Sequence, residues 1–169
     1  MRTNFEDAFA KLIDKEQGYV NHPEDPGGVT NLGVTIKVWA AWKGRDVTDA
    51  EMRSLTPEMV APLYKAQYWN QCRCDDLPSG VDICVFDCAV NSGVKRAIKI
   101  LQRCVNVEED GLIGRNTLAA VTSLDPSEII DRFCAERQSY LESLPTFSTF
   151  GKGWIRRVAE IKAEAMNLA

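Results

Sequence analysis

Two acidic residues near the start of the chain, Glu16 and Asp25, have the types and spacing to do chemistry. Eight residues separate Glu16 from Asp25, and four more separate Asp25 from Thr30. Glu16 falls on an apolar face, where desolvation disfavours an ionised carboxyl and raises its pKa. Asp25 belongs to a loop rich in Pro and Gly, where a wetter carboxyl stays ionised. Such a pair can divide the work between a general acid and a group that activates water.

Each of these residues also has a plain structural interpretation. Glu16 could be a surface glutamate at a frayed helix end, paired with Lys15. Without the rest of the motif, the surface interpretation of Glu16 is the better one. Asp25 could be an Asx-type turn residue, as Asp before Pro often is. The single histidine, His22, is more typical of a loop surface than of a catalytic base.

The segment before Glu16 predicts an amphipathic helix over residues 4–17. Its apolar residues recur at helical spacing and mark the buried face: Phe5, Phe9, Leu12 and Ile13. Glu16 lies four residues after Leu12 and therefore on the same face. Gly18 then supplies a stop signal.

The next segment, residues 19–35, cannot be helical because Pro and Gly interrupt it. The run Asp25-Pro26-Gly27-Gly28 is a strong turn signal. Extended pieces around 19–21 and 29–35 can pair as a small hairpin. Such a loop can return Asp25 toward the end of the first helix.

The rest of the chain is predicted to be helical. Residues 81–92 are apolar on nearly every side, which predicts a helix buried in the middle of the molecule. The other signals are a helix capped by Thr35, a capping box at 48–51, a helix from Thr56-Pro57 to about Tyr68, helices at 94–105 and within 108–121, a helix from Asp125-Pro126 to Leu144, a polar and aromatic linker at 145–153, and a final helix. The sequence predicts a mainly α fold with a small β-hairpin or irregular loop after the first helix.

Length and charge limit the classes of partner. At 169 residues the chain suits a single domain, with a catalytic lobe at 1–80 and a helical lobe at 81–169. A net charge of −4 gives no electrostatic case for nucleic acid or an anionic membrane. The start of the chain is not that of a signal peptide, so we expect cytoplasmic synthesis. We also expect a monomer.

Six cysteines allow three interpretations: a metal site, disulfides, or small core hydrophobes. Their spacing is not that of common zinc sites, and disulfides need an oxidising compartment. We favour reduced core cysteines, and we expect neither a metal nor an organic cofactor. The residues concerned are Cys72, Cys74, Cys84, Cys88, Cys104 and Cys134.

The order glutamate, aspartate, threonine resembles the phage-type lysozymes, although the gap before Thr30 is one residue shorter. The fuller string EQGYVNHPEDPGGVT at 16–30, followed by Gly33-Val34-Thr35, more closely resembles glycoside hydrolase family 108. These N-acetylmuramidases of phages and prophages carry a pattern like E-G-G-Y-V-N-x-P-x-D-x-G-G-x-T-x-x-G-I-T. Gln17 and Val34 depart from that pattern, but both carboxylates and the threonine are kept.

A second set of motifs resembles the predicted peptidoglycan-binding region that accompanies this family. The matching stretches are Phe86–Gly93, Leu101–Arg103 and Asp110–Gly114 with Thr117. Together the two resemblances span most of the chain. They imply a lysozyme-like fold and peptidoglycan as the partner.

The resemblance implies cleavage of the β-1,4 bond between N-acetylmuramic acid and N-acetylglucosamine, in the cell wall, for host cell lysis after release from the cytoplasm. Glu16 would be the general acid, Asp25 would activate water, and Thr30 would help to hold that water. Inversion, which we predict, requires carboxyls separated by about 6.5–9.5 Å. Candidates to line the saccharide groove are Tyr19, Asn31, Thr35, Tyr64, Tyr68, Trp69 and Asn91.

Two alternatives remain open at this point. A lytic transglycosylase needs only one acidic residue and would survive Asp25→Ala. A murein-binding or secretion-accessory protein would work through residues 82–121 and release no new reducing ends. The long string that contains Glu16, Asp25 and Thr30 favours the hydrolase.

Overall fold

The computed structural model describes residues 4–16, 18–21 and 28–169. Helices dominate, and the only strands in the described part form one small hairpin. The elements in chain order are α1 (Asn4–Lys15), β1 (Thr30–Asn31), β2 (Val34–Thr35), α2 (Ile36–Lys43), α3 (Asp49–Arg53), α4 (Pro57–Tyr64), a π-helical turn (Lys65–Trp69), a 3₁₀ turn (Cys74–Asp76), α5 (Val81–Ser92), α6 (Val94–Cys104), α7 (Arg115–Thr122), α8 (Pro126–Glu142) and α9 (Phe147–Met166). The predicted mainly α fold class, with a small hairpin after the first helix, is confirmed.

The chain divides into two compact units, Met1–Gln67 and Tyr68–Ala169. The first unit contains α1 to α4 and the hairpin. The second contains α5 to α9. The predicted lobes, 1–80 and 81–169, stay a prediction.

Helix α1 supplies a large part of the core of the first unit. The predicted apolar face is buried, and Phe5 and Phe9 stack on each other with ring centroids 5.6 Å apart. Phe9 also contacts the ring of Tyr64 in α4, at 5.4 Å between centroids. The helix ends at Lys15, two residues before the predicted end, so that Glu16 lies just beyond its last turn.

The hairpin pairs Thr30 with Thr35 and Asn31 with Val34, which leaves a two-residue turn. Both turn residues are left-handed, with φ of 50° at Leu32 and 75° at Gly33. Positive φ at both positions is typical of the type I′ turn that matches the twist of paired strands.

A backbone bridge joins Val20 to Thr30, with N···O distances of 2.7 and 2.9 Å. The predicted pairing of 19–21 with 29–35 is confirmed at this one residue pair, whereas the hairpin itself forms within 29–35. The bridge brings the two ends of the intervening loop together beside the hairpin.

Capping explains where the next helices begin. Thr35 accepts a hydrogen bond from the Val38 N–H, and Thr48 forms the predicted capping box with Glu51. Thr56 precedes α4 but makes no side-chain cap bond in the described structure. The helix predicted to reach Tyr68 ends at Tyr64 and continues as the π-helical turn.

Helix α5 is the buried central helix of the second unit, as its apolar sequence predicts. Nine consecutive residues, Val81–Ala89, are buried, and α5 packs against α6, α8 and α9. Among the described residues, no helix combines the length and apolarity needed to span a bilayer.

The predicted linker at 145–153 is wrong, because α9 begins at Phe147. Three aromatic residues at helical spacing pack together, and the centroid of the Trp154 ring lies 6.4 Å from that of Phe147 and 5.8 Å from that of Phe150. Gly151, within the predicted linker, lies against the Phe147 ring. A Cβ there would come within 2.5 Å of that ring.

All six cysteines are free and buried, which confirms their interpretation as core hydrophobes. Burial raises the pKa of Cys88 to about 12, and burial likewise raises that of Cys104 to about 12. The sulfur atoms of Cys84 and Cys134 lie 4.0 Å apart. That separation is far longer than a disulfide bond.

Candidate active site

The carboxyl group of Glu16 lies against the turn of the hairpin. A Cβ built on Gly33 would be 3.0 Å from Glu16 Oε2 and 3.2 Å from Glu16 Cδ. The Glu16 N–H donates to the carbonyl of Ile13 at 3.1 Å, which ties the residue to the last turn of α1. Glu16 is half-buried, so the residue is packed on one side and partly open to solvent on the other.

Tyr64 holds the other side of the same turn. Its hydroxyl donates to the carbonyl of Leu32 at 2.9 Å and would lie 2.5 Å from a Cβ at Gly33. The Tyr64 side chain is buried against Phe9, with only 2% of the residue exposed. Tyr64 therefore supports the turn that Glu16 contacts, and its role in sugar binding stays a prediction.

Thr30 lies in β1, where its backbone pairs with Val20 and with Thr35. Its hydroxyl donates a long hydrogen bond, 3.4 Å, to the carbonyl of Gly28. Asp25 lies outside the described residues. The separation of the Glu16 and Asp25 carboxyls therefore stays a prediction, and so does the inverting outcome.

Tyr19 is anchored to α3 rather than left open beside the loop. Its hydroxyl donates to the Asp49 carboxylate, and the Arg53 guanidinium lies 4.2 Å from the centre of the Tyr19 ring. Arg53 also bonds to Asp49 at 2.8 Å. The hydrogen bond to Asp49 raises the pKa of Tyr19, and the same bond lowers the pKa of Asp49.

The other predicted groove residues of the first unit hold the hairpin in position. Asn31 is buried, and its side-chain amide donates to the Met52 carbonyl at 2.8 Å. Thr35 uses its hydroxyl to cap α2. Glu16, Tyr64, Asn31 and Thr35 are thus brought together around one two-stranded element.

Three predicted groove residues belong to the second unit. Trp69 is buried, donates from its indole to Asp75 at 2.8 Å, and meets the ring of Phe86 edge-on. Tyr68 is half-buried in the π-helical turn. Asn91 is exposed near the end of α5, and its amide donates to the Asp87 carbonyl at 2.8 Å.

The sequence reasoning missed the contact between Glu16 and Gly33 and the anchoring of Tyr19 by Asp49 and Arg53. The four-residue spacing of Asp49 and Arg53 on a capped helix was a signal for their ion pair. The contact with Gly33 has no local signal, because it joins residues that are distant along the chain.

Comparison with known proteins gives a consistent assignment. Residues 9–93 match the family model described as Glycosyl hydrolase 108, and this range includes all three predicted catalytic positions. Residues 96–159 match the model described as Predicted Peptidoglycan domain. No curated protein matches the chain significantly.

Among solved structures, the chain is similar to that of SagA from Brucella abortus. The two sequences are 45% identical, and the superposition has a TM-score of 0.87. The match covers 98% of this chain and 95% of the other. The similarity therefore extends over both units rather than over one of them.

Proposed function

The chain belongs to the glycosyl hydrolase 108 family, whose model is followed here by a peptidoglycan domain, and we propose that it is an N-acetylmuramidase. Membership makes it a peptidoglycan-degrading glycosidase. The bond we assign is the β-1,4 bond between N-acetylmuramic acid and N-acetylglucosamine. The observation that carries the proposal is the position of Glu16, whose carboxyl is held against the hairpin turn.

Glu16 is the proposed general acid. Hydrolysis of a glycosidic bond needs a proton on the oxygen of the leaving sugar as the bond to the anomeric carbon breaks. A carboxyl packed against Gly33 and the last turn of α1 has its orientation restricted before substrate arrives. Such restriction lowers the entropy cost of reaching the transition state.

Asp25 is the proposed partner of Glu16, and it would take a proton from the attacking water on the opposite face of the sugar ring. The bridge between Val20 and Thr30 supports this role because it returns the end of the Asp25 loop to the hairpin. Thr30 would hold the water. In that arrangement the configuration at the anomeric carbon inverts.

The first experiment measures new reducing ends released from purified murein by wild type and by Glu16→Gln. We expect a loss of about 10²- to 10⁴-fold, the usual contribution of one acid–base group. Asp14→Asn is the matched control, since Asp14 is an exposed carboxylate on the same helix. Equal release by wild type and Glu16→Gln would contradict the assignment.

Two further readouts fix the reaction type. NMR of the first product reads its anomeric configuration, and we expect the α-anomer. Mass spectrometry reads hydrolysis against anhydro-muramic ends. A variant Asp25→Ala that keeps full activity and gives anhydro ends would replace the hydrolase with a lytic transglycosylase.

We also infer that this activity serves cell lysis. Co-expression with a pore-forming membrane protein tests that role. We expect the optical density of the culture to fall with wild type and to hold with Glu16→Gln.

A further inference from the structure

A cavity of about 520 Å³ lies in the second unit between the end of α6 and the start of α7. Its volume is within the range of about 300–1,000 Å³ typical of pockets that enclose a small ligand. We call it the loop cavity, because most of its lining comes from the loop between these two helices. The side chains that matter here are Val107, Glu108, Leu112, Arg115 and Asn116.

The wall of the loop cavity is held in place by hydrogen bonds within the protein. The buried amide of Gln102 bonds to Asp110 at 2.7 Å and to Thr117 at 3.2 Å. The Leu112 N–H donates to the same Asp110 carboxylate at 2.9 Å. Because ordering a loop costs binding free energy, a cavity whose wall is already ordered binds a ligand at lower cost.

Two opposite charges line the loop cavity without pairing. Glu108 and Arg115 are both exposed, and neither forms an ion pair in the described part of the chain. The neighbouring Glu109, by contrast, bonds to Arg103 at 2.8 Å. A ligand that carries one ammonium and one carboxylate can pair with both Glu108 and Arg115.

The start of α7 adds hydrogen-bond donors beside the Arg115 guanidinium. The N-cap residue, Gly114, has no side chain to accept from the first turn of the helix. The backbone N–H groups of Arg115 and Asn116 have no acceptor among the described residues. A helix N-terminus attracts negative charge, so the carboxylate of such a ligand belongs at this end of the cavity.

Apolar side chains complete the lining of the loop cavity. Leu112 is 70% exposed, more than any other large hydrophobic residue in the described part of the chain. Val107 is half-buried and lines the same cavity. These two side chains suit a short apolar chain that carries the charged groups at its tip.

We propose that the loop cavity binds the zwitterionic end of the diamino acid in a peptide stem of peptidoglycan, as in meso-diaminopimelate. The inference rests on the proposed function for its choice of polymer. That end has an ammonium and a carboxylate on one carbon, at the tip of a chain of methylene groups. Glu108 pairs with the ammonium, Arg115 and the first turn of α7 hold the carboxylate, and Leu112 contacts the methylene groups.

The position of the loop cavity in the chain supports the assignment. All of its lining residues fall within 96–159, the range that matches the Predicted Peptidoglycan domain. A site for the peptide stem would let the second unit hold peptidoglycan by its peptide part while the first unit acts on glycan.

The test uses the full chain and two matched probes, N-acetyl-L-alanyl-γ-D-glutamyl-meso-diaminopimelate and the same peptide with L-lysine at its third position. Both side chains end in an ammonium, but only that of diaminopimelate has a carboxylate beside it. Calorimetry measures affinity, and NMR follows the backbone amides of α7. We expect the diaminopimelate peptide to bind and to shift the Asn116 amide signal. The lysine peptide should bind at least about tenfold more weakly, because it lacks one charged hydrogen-bond acceptor.

Two variants separate the roles of the charged residues. Arg115→Gln should weaken binding of the diaminopimelate peptide about tenfold or more and leave that of the lysine peptide unchanged, since only the first presents the carboxylate. Glu108→Gln should weaken binding of both peptides. The matched controls are Arg156→Gln, at a side chain that is 80% exposed, and Glu142→Gln on α8, and both should leave binding unchanged.

The melting temperature of each variant checks its fold. We expect the wild-type value for Arg115→Gln and Glu108→Gln, because both side chains are exposed and unpaired in the described structure. The comparison of the two peptides on wild type needs no variant, so it decides the matter if a variant fails to fold.

Equal affinity of wild type for the two peptides would overturn the proposal, as would unchanged binding of the diaminopimelate peptide by folded Arg115→Gln. Free glycine is a third probe, and glycine binding as tightly as the diaminopimelate peptide would overturn the peptide stem as the ligand. No hydrolysis enters these measurements. A chain that binds the peptide but releases no reducing ends would overturn the muramidase activity alone, and the reverse result would overturn the role of the loop cavity alone.

Discussion

Gly33 makes the space in which the Glu16 carboxyl sits. Its φ of 75° is costly for any residue with a Cβ, and a Cβ would also crowd Glu16 and Tyr64. The Glu16 carboxyl is the end of a flexible side chain and can move aside, whereas the Tyr64 hydroxyl is fixed by its buried ring and by its bond to Leu32. The position of the Glu16 carboxyl therefore depends on the absence of a Cβ at residue 33.

We therefore predict that Gly33→Ala leaves the protein folded but strongly lowers its activity. The left-handed backbone should cost about 1–2 kcal/mol in the free energy of unfolding. Turnover of the variant should fall about 10²-fold, because its Glu16 carboxyl is displaced from the position that catalysis requires. Reducing-end assays and thermal denaturation of the purified variant measure the two effects.

Gly44→Ala is the control for this prediction. Gly44 has a similar φ of 68°, but nothing lies within 4 Å of its added Cβ. Gly44→Ala should lose stability only through its left-handed backbone and should keep its activity. Equal loss of turnover in both variants would contradict the idea that Gly33 makes room for Glu16.

Residue types identified Glu16 and Thr30 in the sequence but could not show what touches them. Glu16 was placed from its spacing after Leu12 and Ile13, and the structure places it at the end of α1 as expected. The Tyr64 bond to Leu32 spans 32 residues, and Asn31 reaches Met52 across 21. Such contacts arise from tertiary packing, which no local pattern encodes.

At the scale of elements, the capping signals in the sequence predicted where helices begin. They did not predict the kind of helix that follows, such as the π-helical turn. Thr48 and Glu51 carry their complete bond pattern within four residues, so the start of α3 was predictable. The π-helical turn at Lys65–Trp69 was not, because its residues keep an ordinary helical composition. The start of α9 was missed because the polar and aromatic composition of 145–153 was interpreted as a linker, whereas the packing of Phe147 on Gly151 and Trp154 depends on the fold.

The loop between α6 and α7 is built around Gln102 of α6. The two N–H groups of the buried Gln102 amide are shared among three acceptors, Asp110, Thr117 and the Leu112 carbonyl, and the amide oxygen accepts from the Gly111 N–H. One side chain thus supplies hydrogen-bond partners to several polar groups of the loop. This explains why the motif around Gln102 and the motif at 110–114 occur together in the sequence.

We predict that Gln102→Leu destabilises the second unit by about 2 kcal/mol or more, since each buried partner left unpaired costs about 1–3 kcal/mol. Chemical denaturation measures the loss, and hydrogen exchange of the Gly111 amide should speed up. Gln138→Leu on α8 removes an exposed bond to Glu142 and should change stability by about 0.5 kcal/mol or less. Similar losses in the two variants would argue against this role for Gln102.

At the scale of the whole molecule, acid stability should depend on Asp87. Burial alone would raise its pKa, but Arg137 and Arg157 outweigh burial and hold the pKa below its ordinary value. The ionised form is therefore favoured by folding. Its contribution is complete above the unfolded pKa of about 3.9 and is lost as pH falls through the lower folded value.

Asp87→Asn should accordingly cost about 3–5 kcal/mol near pH 7, because it leaves buried arginine without its counterion. The difference from wild type should stay constant down to about pH 5 and shrink below about pH 4. Melting temperatures between pH 8 and pH 3 measure it. Asp131→Asn, which removes an exposed carboxylate, is the control and should have little effect. A difference in melting temperature between wild type and Asp87→Asn that does not change with pH would contradict this prediction.

The six buried thiols should report global unfolding. Buried thiols react slowly with alkylating reagents, because the reagent cannot reach the sulfur atom. We expect almost no iodoacetamide labelling of the native protein and six modifications in denaturant, read by mass spectrometry. Rapid labelling of native Cys88 or Cys104 would contradict their burial.

The left-handed backbone of Leu32 also offers a way to make the protein more resistant to heat. A type I′ turn needs positive φ at both central residues and therefore favours Asn before Gly, whereas this chain has Leu32, with φ of 50°, before Gly33. Replacing Leu32 with Asn should relieve that cost and raise the melting temperature of the purified protein.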